Sequence, residues 1–163
     1  MKTTIRPAEA QDMASVLRLI KELAAFEKEP DAVEVTVDDL IAYGTGNNPE
    51  FTCFIAENPE DGVVGIALLY FRFSTWKGRT IHLEDLVVKQ EKRGQGIGMQ
   101  LYTETIKYAH ELGVRRIEWV VLDWNKTAID FYEASGATLL QEWHTVQMDA
   151  EKMKMFLERK GIL

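Results

Sequence analysis

At 163 residues, with 46% apolar and 28% charged side chains, the chain has the composition of a folded globular protein and can bury roughly two thirds of its unfolded surface. A formal charge of −7, from 19 basic against 26 acidic residues, argues against a nucleic-acid backbone as partner and is compatible with a cationic one. The single cysteine, Cys53, excludes an internal disulfide framework and a cysteine-based zinc site.

The opening segment MKTTIRPAEA lacks the apolar stretch of a secretory leader. The longest apolar run, residues 63–71, falls far short of the roughly 18 residues that span a bilayer. No repeat, low-complexity tract or change of composition marks a linker. These features predict one domain over residues 1–163, in the cytoplasm and without a membrane partner. His82, His110 and His144 are scattered, none with a second ligand at a helical spacing that would build a metal site, so no metal is expected.

Residues 3–6 predict a short strand closed by Pro7, and residues 12–27 carry Met13, Val16, Leu17, Ile20, Leu23 and Ala24 at helical spacing. Thr36 followed by Asp39 has the form of a capping box for a short helix that Gly44 ends. Residues 51–57 and 63–73 read as strands joined by the turn composition NPEDG, hence as an antiparallel hairpin. Cys53, within FTCFIA, reads as a small buried hydrophobe. Residues 80–88 predict the next strand. Ile97, Leu101, Tyr102, Ile106, Ala109 and Leu112 then mark one helix face that Gly113 stops, and a strand is expected over 115–122. Strand, loop, helix and strand make a βαβ unit with parallel strands, whose ligands sit beyond the carboxyl ends of the strands. A helix over 126–135 ending at Gly136, a strand over 137–148 and a helix over 149–160 complete an α/β chain with a mixed parallel and antiparallel sheet.

The carboxyl end of the first βαβ strand is KRGQGIGMQ, residues 92–100, with glycines at 94, 96 and 98. Glycines at a strand-to-helix corner free amide N–H groups to converge on an anion, with the helix N-terminus adding its partial positive charge. A Walker A loop is excluded, because Met99 and Gln100 stand where the lysine and hydroxyl would be. A dinucleotide fingerprint is also absent, since the spacing is G-x-G-x-G and Met99 takes the third glycine's place. Taken alone, the loop is equally a structural tight turn or a phosphate cradle.

Its setting decides between them. TWKGRTIHLEDLVV, RGQGIG, VLDWN and FYEASGA, with RLIKELAAFEK near the start, resemble the GNAT superfamily of N-acetyltransferases. Within it they are similar to the spermidine/spermine (diamine) acetyltransferases, most of all to their thialysine N-ε-acetyltransferase branch. The resemblance runs over residues 5–143. It implies a GNAT-like central sheet flanked by helices with a βαβ unit that binds acyl-CoA, a single N-acetyltransferase domain, acetyl-CoA as co-substrate and a homodimer. It further implies that amides around Gly94, Gly96, Gly98 and Met99 hold the CoA pyrophosphate and that Leu86 and Val88 pair through their backbone with the pantetheine arm. Arg93 is either a phosphate contact or a solvated charge.

The reaction needs a neutral amine. An alkylammonium of pKa near 10.4 is protonated at pH 7, so the free base costs about 4.6 kcal/mol and a general base is useful. Strict alternation along residues 80–88 places His82, Glu84, Leu86 and Val88 on one face and Ile81, Leu83, Asp85 and Val87 on the other. The resemblance makes Glu84 the base, acting through water, and gives Asp85 a hold on the amine; for both to share a site the strand must bulge or twist there. An ion-paired structural carboxylate is the alternative at each position. The resemblance also makes Tyr132 the acid that protonates the departing thiolate, although its spacing with Ala128 and Ile129 reads as core. Asn125 either caps the helix at Lys126 or binds the cofactor or substrate. Phe26, Glu27 and Trp76 match positions that line the amine site, and Glu29, Asp31, Glu34, Asp38 and Asp39 are either further carboxylates for a polyamine or solvated surface. Acetylation of a protein lysine or α-amino group, or non-catalytic binding of acyl-CoA, are the competing functions.

Overall fold

Each element expected between residues 3 and 113 forms in the computed structural model, which describes residues 3–163. The chain divides into two compact units, Met1–Val120 and Val121–Leu163. In the first, β1 (Thr4–Pro7), β2 (Thr52–Asn58), β3 (Gly62–Ser74), β4 (Gly78–Val88) and β5 (Ile117–Glu118) form a five-stranded sheet in sequence order. All neighbours are antiparallel except β4 and β5, which run parallel, as the βαβ reading requires.

Helices cover both faces. On one, Met13, Val16 and Leu19 of α1 (Met13–Phe26) and Leu40 of α2 (Val37–Gly44) pack in a core with Cys53, Ile55, Ile66, Leu68 and Val87. On the other lies α3 (Ile97–Glu111), whose Leu101 approaches Gly65 and whose Tyr108 meets Phe54 edge to face at 5.4 Å. The capping box at Thr36 is complete: its hydroxyl accepts from the Asp39 amide at 3.1 Å, and the Asp39 carboxylate accepts from the Thr36 amide at 2.8 Å. A turn before α1 is held by Asp12, a buried carboxylate that accepts two hydrogen bonds from Arg6, at 2.7 and 3.0 Å.

Strict alternation fails on β4. Leu69 pairs with Leu83 but Leu68 pairs with Asp85, so Glu84 is an extra residue in a β-bulge. Beyond it the side chains exchange faces relative to the residues before it. His82, Asp85 and Val87 therefore share the α1 face, while Ile81, Leu83, Leu86 and Val88 share the α3 face. This corrects the partition expected from the period of two.

The strand expected over 115–122 shrinks to Ile117–Glu118, paired with Ile81 and His82. The next pairs would meet Leu83 and the bulged Glu84, where the ladder loses its register. Trp119 turns instead to Tyr102 of α3, with ring centroids 5.8 Å apart.

The second unit consists of α4 (Lys126–Ala134), α5 (Ala150–Arg159) and the connection between them. Asn125 caps α4 and Asp149 caps α5 through their side-chain oxygens. Residues 137–148, expected as a strand, form none, because this unit offers no strand edge to pair with their backbone. Among the described residues, no helix is long and apolar enough to cross a membrane.

Candidate active site

Two features of the first unit converge at the carboxyl end of β4. One is the glycine corner. Gly94 and Gly96 have φ of 75° and 78°, a left-handed backbone that disfavours side chains. Gly96 is the N-cap of α3, so the amides of Ile97, Gly98 and Met99 lie in the first turn, where no earlier carbonyl of the helix can accept from them. A Cβ placed on Gly94 or Gly96 would meet nothing within 4 Å, and one on Gly98 only Val88 Cγ2 at 3.8 Å. Among the described residues of this unit, none fills the corner within that distance.

The second feature is the edge of β4 beyond His82, with which no strand among the described residues of this unit pairs. Lys89 N donates to Val64 O at 2.9 Å across the Gly65–Val88 pair. That makes this pair, and by alternation Ala67–Leu86, of the non-hydrogen-bonded kind. The N–H and C=O groups of Leu86 and Val88 thus point away from β3, to an edge that β5 pairs only at Ile81 and His82. Arg93 bends back onto this edge: its Nε donates to Val88 O at 3.0 Å, and its guanidinium lies 5.3 Å from the Phe26 ring centroid and 4.0 Å from Glu22. Arg93 thereby links the glycine corner to α1, a role that neither a solvated charge nor a phosphate contact anticipates.

The bulge turns Asp85 onto the α1 face. Asp85 lies in a row with Leu68 and Cys53 across the sheet. Burial, reinforced by the charges of Glu84 and Glu27, pushes its carboxyl up to about 6. Burial also raises Glu27, the C-cap of α1. Just past it Lys28 takes a left-handed φ of 68°, and the amides of Lys28 and Glu29 return to the carbonyls of Ala25 and Ala24, a Schellman turn with lysine in the usual glycine position. Glu84 is half-exposed, with His82 Nε2 at 3.5 Å from Oε2. The Tyr70 hydroxyl faces it as well, and burial followed by the Glu84 charge raises Tyr70. Burial likewise pushes the Cys53 thiol up, to about 12, which leaves it no thiolate at neutral pH.

The structure therefore brings Asp85 within electrostatic reach of both Glu84 and Glu27 and leaves Trp76 apart. Trp76 sits exposed in the turn between Ser74 and Gly78, and Gly78 is roughly 13 Å of strand from His82. Glu29, Asp31, Glu34 and Asp38 are exposed, and Asp39 is engaged in its capping box. In the second unit Asn125 Oδ1 accepts from the Ala128 amide at 3.3 Å, and the half-buried Tyr132 ring contacts Phe131 edge to face at 5.3 Å. Tyr70, Arg72 and Glu118, which surround His82, carry no signal in the linear sequence, because their convergence depends on strand register. Among the described residues no group of three or more His, Cys, Asp or Glu side chains is placed to hold a metal ion.

Residues 15–137 match the model of the acetyltransferase (GNAT) family. The chain belongs to the GNAT acetyltransferase family. Two relatives named thialysine N-epsilon-acetyltransferase carry the match over full length: one from Bos taurus is 43% identical over 92% of this chain and 94% of its own, and one from Caenorhabditis elegans 33% identical over 95% of each. A human protein named spermidine/spermine N(1)-acetyltransferase-like protein 1 is 37% identical over 91% of this chain and 23% of its own. The solved structure of an integron cassette protein from the mobile metagenome of V. cholerae superposes with a TM-score of 0.77 at 23% identity, covering 97% of this chain and 99% of that one. This acetyltransferase uses acetyl-CoA as the acyl donor and an amine as acceptor. The open glycine corner and the unpaired β4 edge suit such a donor, the first for its phosphates and the second for its amide-bearing arm.

Proposed function

We propose that the enzyme acetylates the side-chain amine of a small lysine-like molecule such as thialysine. The observation that carries the reading is the bulge at Glu84, which turns Asp85 onto the α1 face, where it feels the charges of both Glu84 and Glu27, a setting for an ammonium group. The names of the relatives with full-length matches support the choice of thialysine. Polyamines are the second reading, favoured by the number of carboxylates, since each additional ammonium requires a partner.

In this reading the amides of Gly94, Gly96, Gly98 and Met99 hold the pyrophosphate of acetyl-CoA, and the backbone of Leu86 and Val88 pairs with its pantetheine arm. Acetyl-CoA supplies an acyl thioester already activated toward amines. Asp85 and Glu27 hold the ammonium group, with Phe26 as an apolar wall. Glu84 takes a proton from the amine through water, and the Tyr132 hydroxyl donates one to the departing thiolate. Arg93 and Asn125 act on the cofactor side, Arg93 by closing on Val88. Both units work as one acetyltransferase domain, supported by a family match that runs across Val120. The enzyme acts in the cytoplasm as a homodimer; the exposed side chains of Phe73 and Trp76 are apolar surface that a second copy would cover.

The test is kcat/KM for thialysine, lysine, putrescine, spermidine and spermine under one buffer and salt condition. Thialysine is expected to lead. A tenfold advantage for spermidine overturns the preference, and inactivity on all five moves the assignment to a protein amine.

A further inference from the structure

His82 is buried beside the carboxylates, and the mechanism above leaves it unused. Its ring lies 5.2 Å from that of Tyr70, its Nδ1 lies 3.3 Å from Arg72 Nη1 and its Nε2 lies 3.5 Å from Glu84 Oε2. A guanidinium only donates and does not give up its proton at any ordinary pH. Nδ1 must therefore accept, and a neutral imidazole in this position carries its proton on Nε2, facing Glu84. Arg72 is itself held by an ion pair with Glu118 of β5. Burial holds His82 below the usual imidazole range, with Arg72 acting in the same direction, against the pull of Glu84 and Glu118. The ring thus stays neutral at pH 7.

We propose that His82 is a positioning residue for Glu84: Arg72 fixes the Nε2–H tautomer, and that N–H holds the Glu84 carboxylate turned toward the face that carries Asp85. The half-exposed Glu84 side chain needs only a small rotation to shorten the 3.5 Å separation into a hydrogen bond. The charged and titratable groups facing the pair are Arg72 and Tyr70 from β3, Glu118 from β5, Asp85 from β4 and, through Asp85, Glu27 at the end of α1. The proposal rests on the reading of Glu84 as the base.

Two measurements test it. Nitrogen-15 NMR of the histidine rings in the unliganded protein reads the tautomer directly, and the Nε2–H form is expected for His82. The pH dependence of kcat/KM reads the consequence. Loss of a donor disfavours the carboxylate, so His82→Phe should move the acidic limb upward by about half a unit to one unit. His82→Gln, whose amide nitrogen can take the place of Nε2, should leave the limb where it is. An Nδ1–H tautomer overturns the proposal, as does an unmoved limb in a folded His82→Phe protein. Glu84→Gln separates the two claims. If its acidic limb persists, Glu84 is not the base; a Glu84 carboxyl resonance in carbon-13 NMR that titrates higher in His82→Phe would still support the positioning, and an unchanged titration would overturn it.

Discussion

Replacing Asp85 by Asn should make the protein more stable and the enzyme worse. The Asp85 carboxyl is pushed from 3.8 to about 6 by burial and by the charges of Glu84 and Glu27. A carboxyl raised in the folded state stabilises the protein below its unfolded pKa, and that contribution disappears as pH rises through the folded one. The window is therefore pH 3.8 to about 6. A shift of roughly two units at 1.36 kcal/mol each bounds the cost of ionised Asp85 at about 3 kcal/mol. Asparagine keeps the shape and removes the charge. Urea unfolding of both proteins without ligands, at pH 4, 5, 6 and 8, should show the variant gaining over the parent with pH, from near zero at pH 4 to about 2–3 kcal/mol at pH 8. The amine KM should rise about 10-fold or more as a charged hydrogen bond is lost. A stability difference that does not grow with pH would refute the burial argument. A gain in stability with an unchanged KM would refute the amine contact alone.

Gly98→Ala should raise the melting temperature, because Gly98 has an ordinary helical setting and its added methyl meets only Val88 Cγ2 at 3.8 Å. Acetyl-CoA affinity by calorimetry should nonetheless fall by about 10-fold or more, because the methyl takes ligand space; near-native affinity would remove the pyrophosphate from this corner. Tyr132→Phe should lower kcat by about 10²-fold or more with little change in amine KM, read from steady-state kinetics. An unchanged kcat returns Tyr132 to a packing role.

Local chemistry made much of the fold legible. Thr36 and Asp39 announced α2 through side chains that can satisfy only a helix start, and Gly113, at φ 66°, stopped α3 where expected. The glycine corner was legible for the same reason, since left-handed backbone at Gly94 and Gly96 is written in residue type. What was not legible depends on pairing between distant residues. Nothing in the alternation of TIHLED, residues 80–85, says which residue a neighbouring strand will skip, so the faces of Glu84 and Asp85 were open until Leu68 and Leu69 chose their partners. The conflict between two carboxylates assigned to one site and a period of two was the available signal. Residues 137–148 find no edge, and residues 119–122 leave the sheet because the bulge removes theirs. Arg72 and His82 meet only through the β3–β4 register, which no linear pattern reports.

A strand with one unsatisfied edge is a template for any extended chain that drifts past it. Among the described residues of the first unit, residues 83–88 of β4 form such a strand, apolar at Leu83, Leu86, Val87 and Val88 and flanked by a ladder that ends at His82. Self-association through this ribbon is opposed by three devices already in place: a bulge that breaks its flatness, paired acidic side chains at Glu84 and Asp85, and the Arg93 side chain bonded to the last carbonyl. The residues that would seat an amine are thus also the ones that keep the empty enzyme from polymerising edge to edge. Neutralising Glu84 and Asp85 together would expose the protein to aggregation even where each single change is harmless to folding.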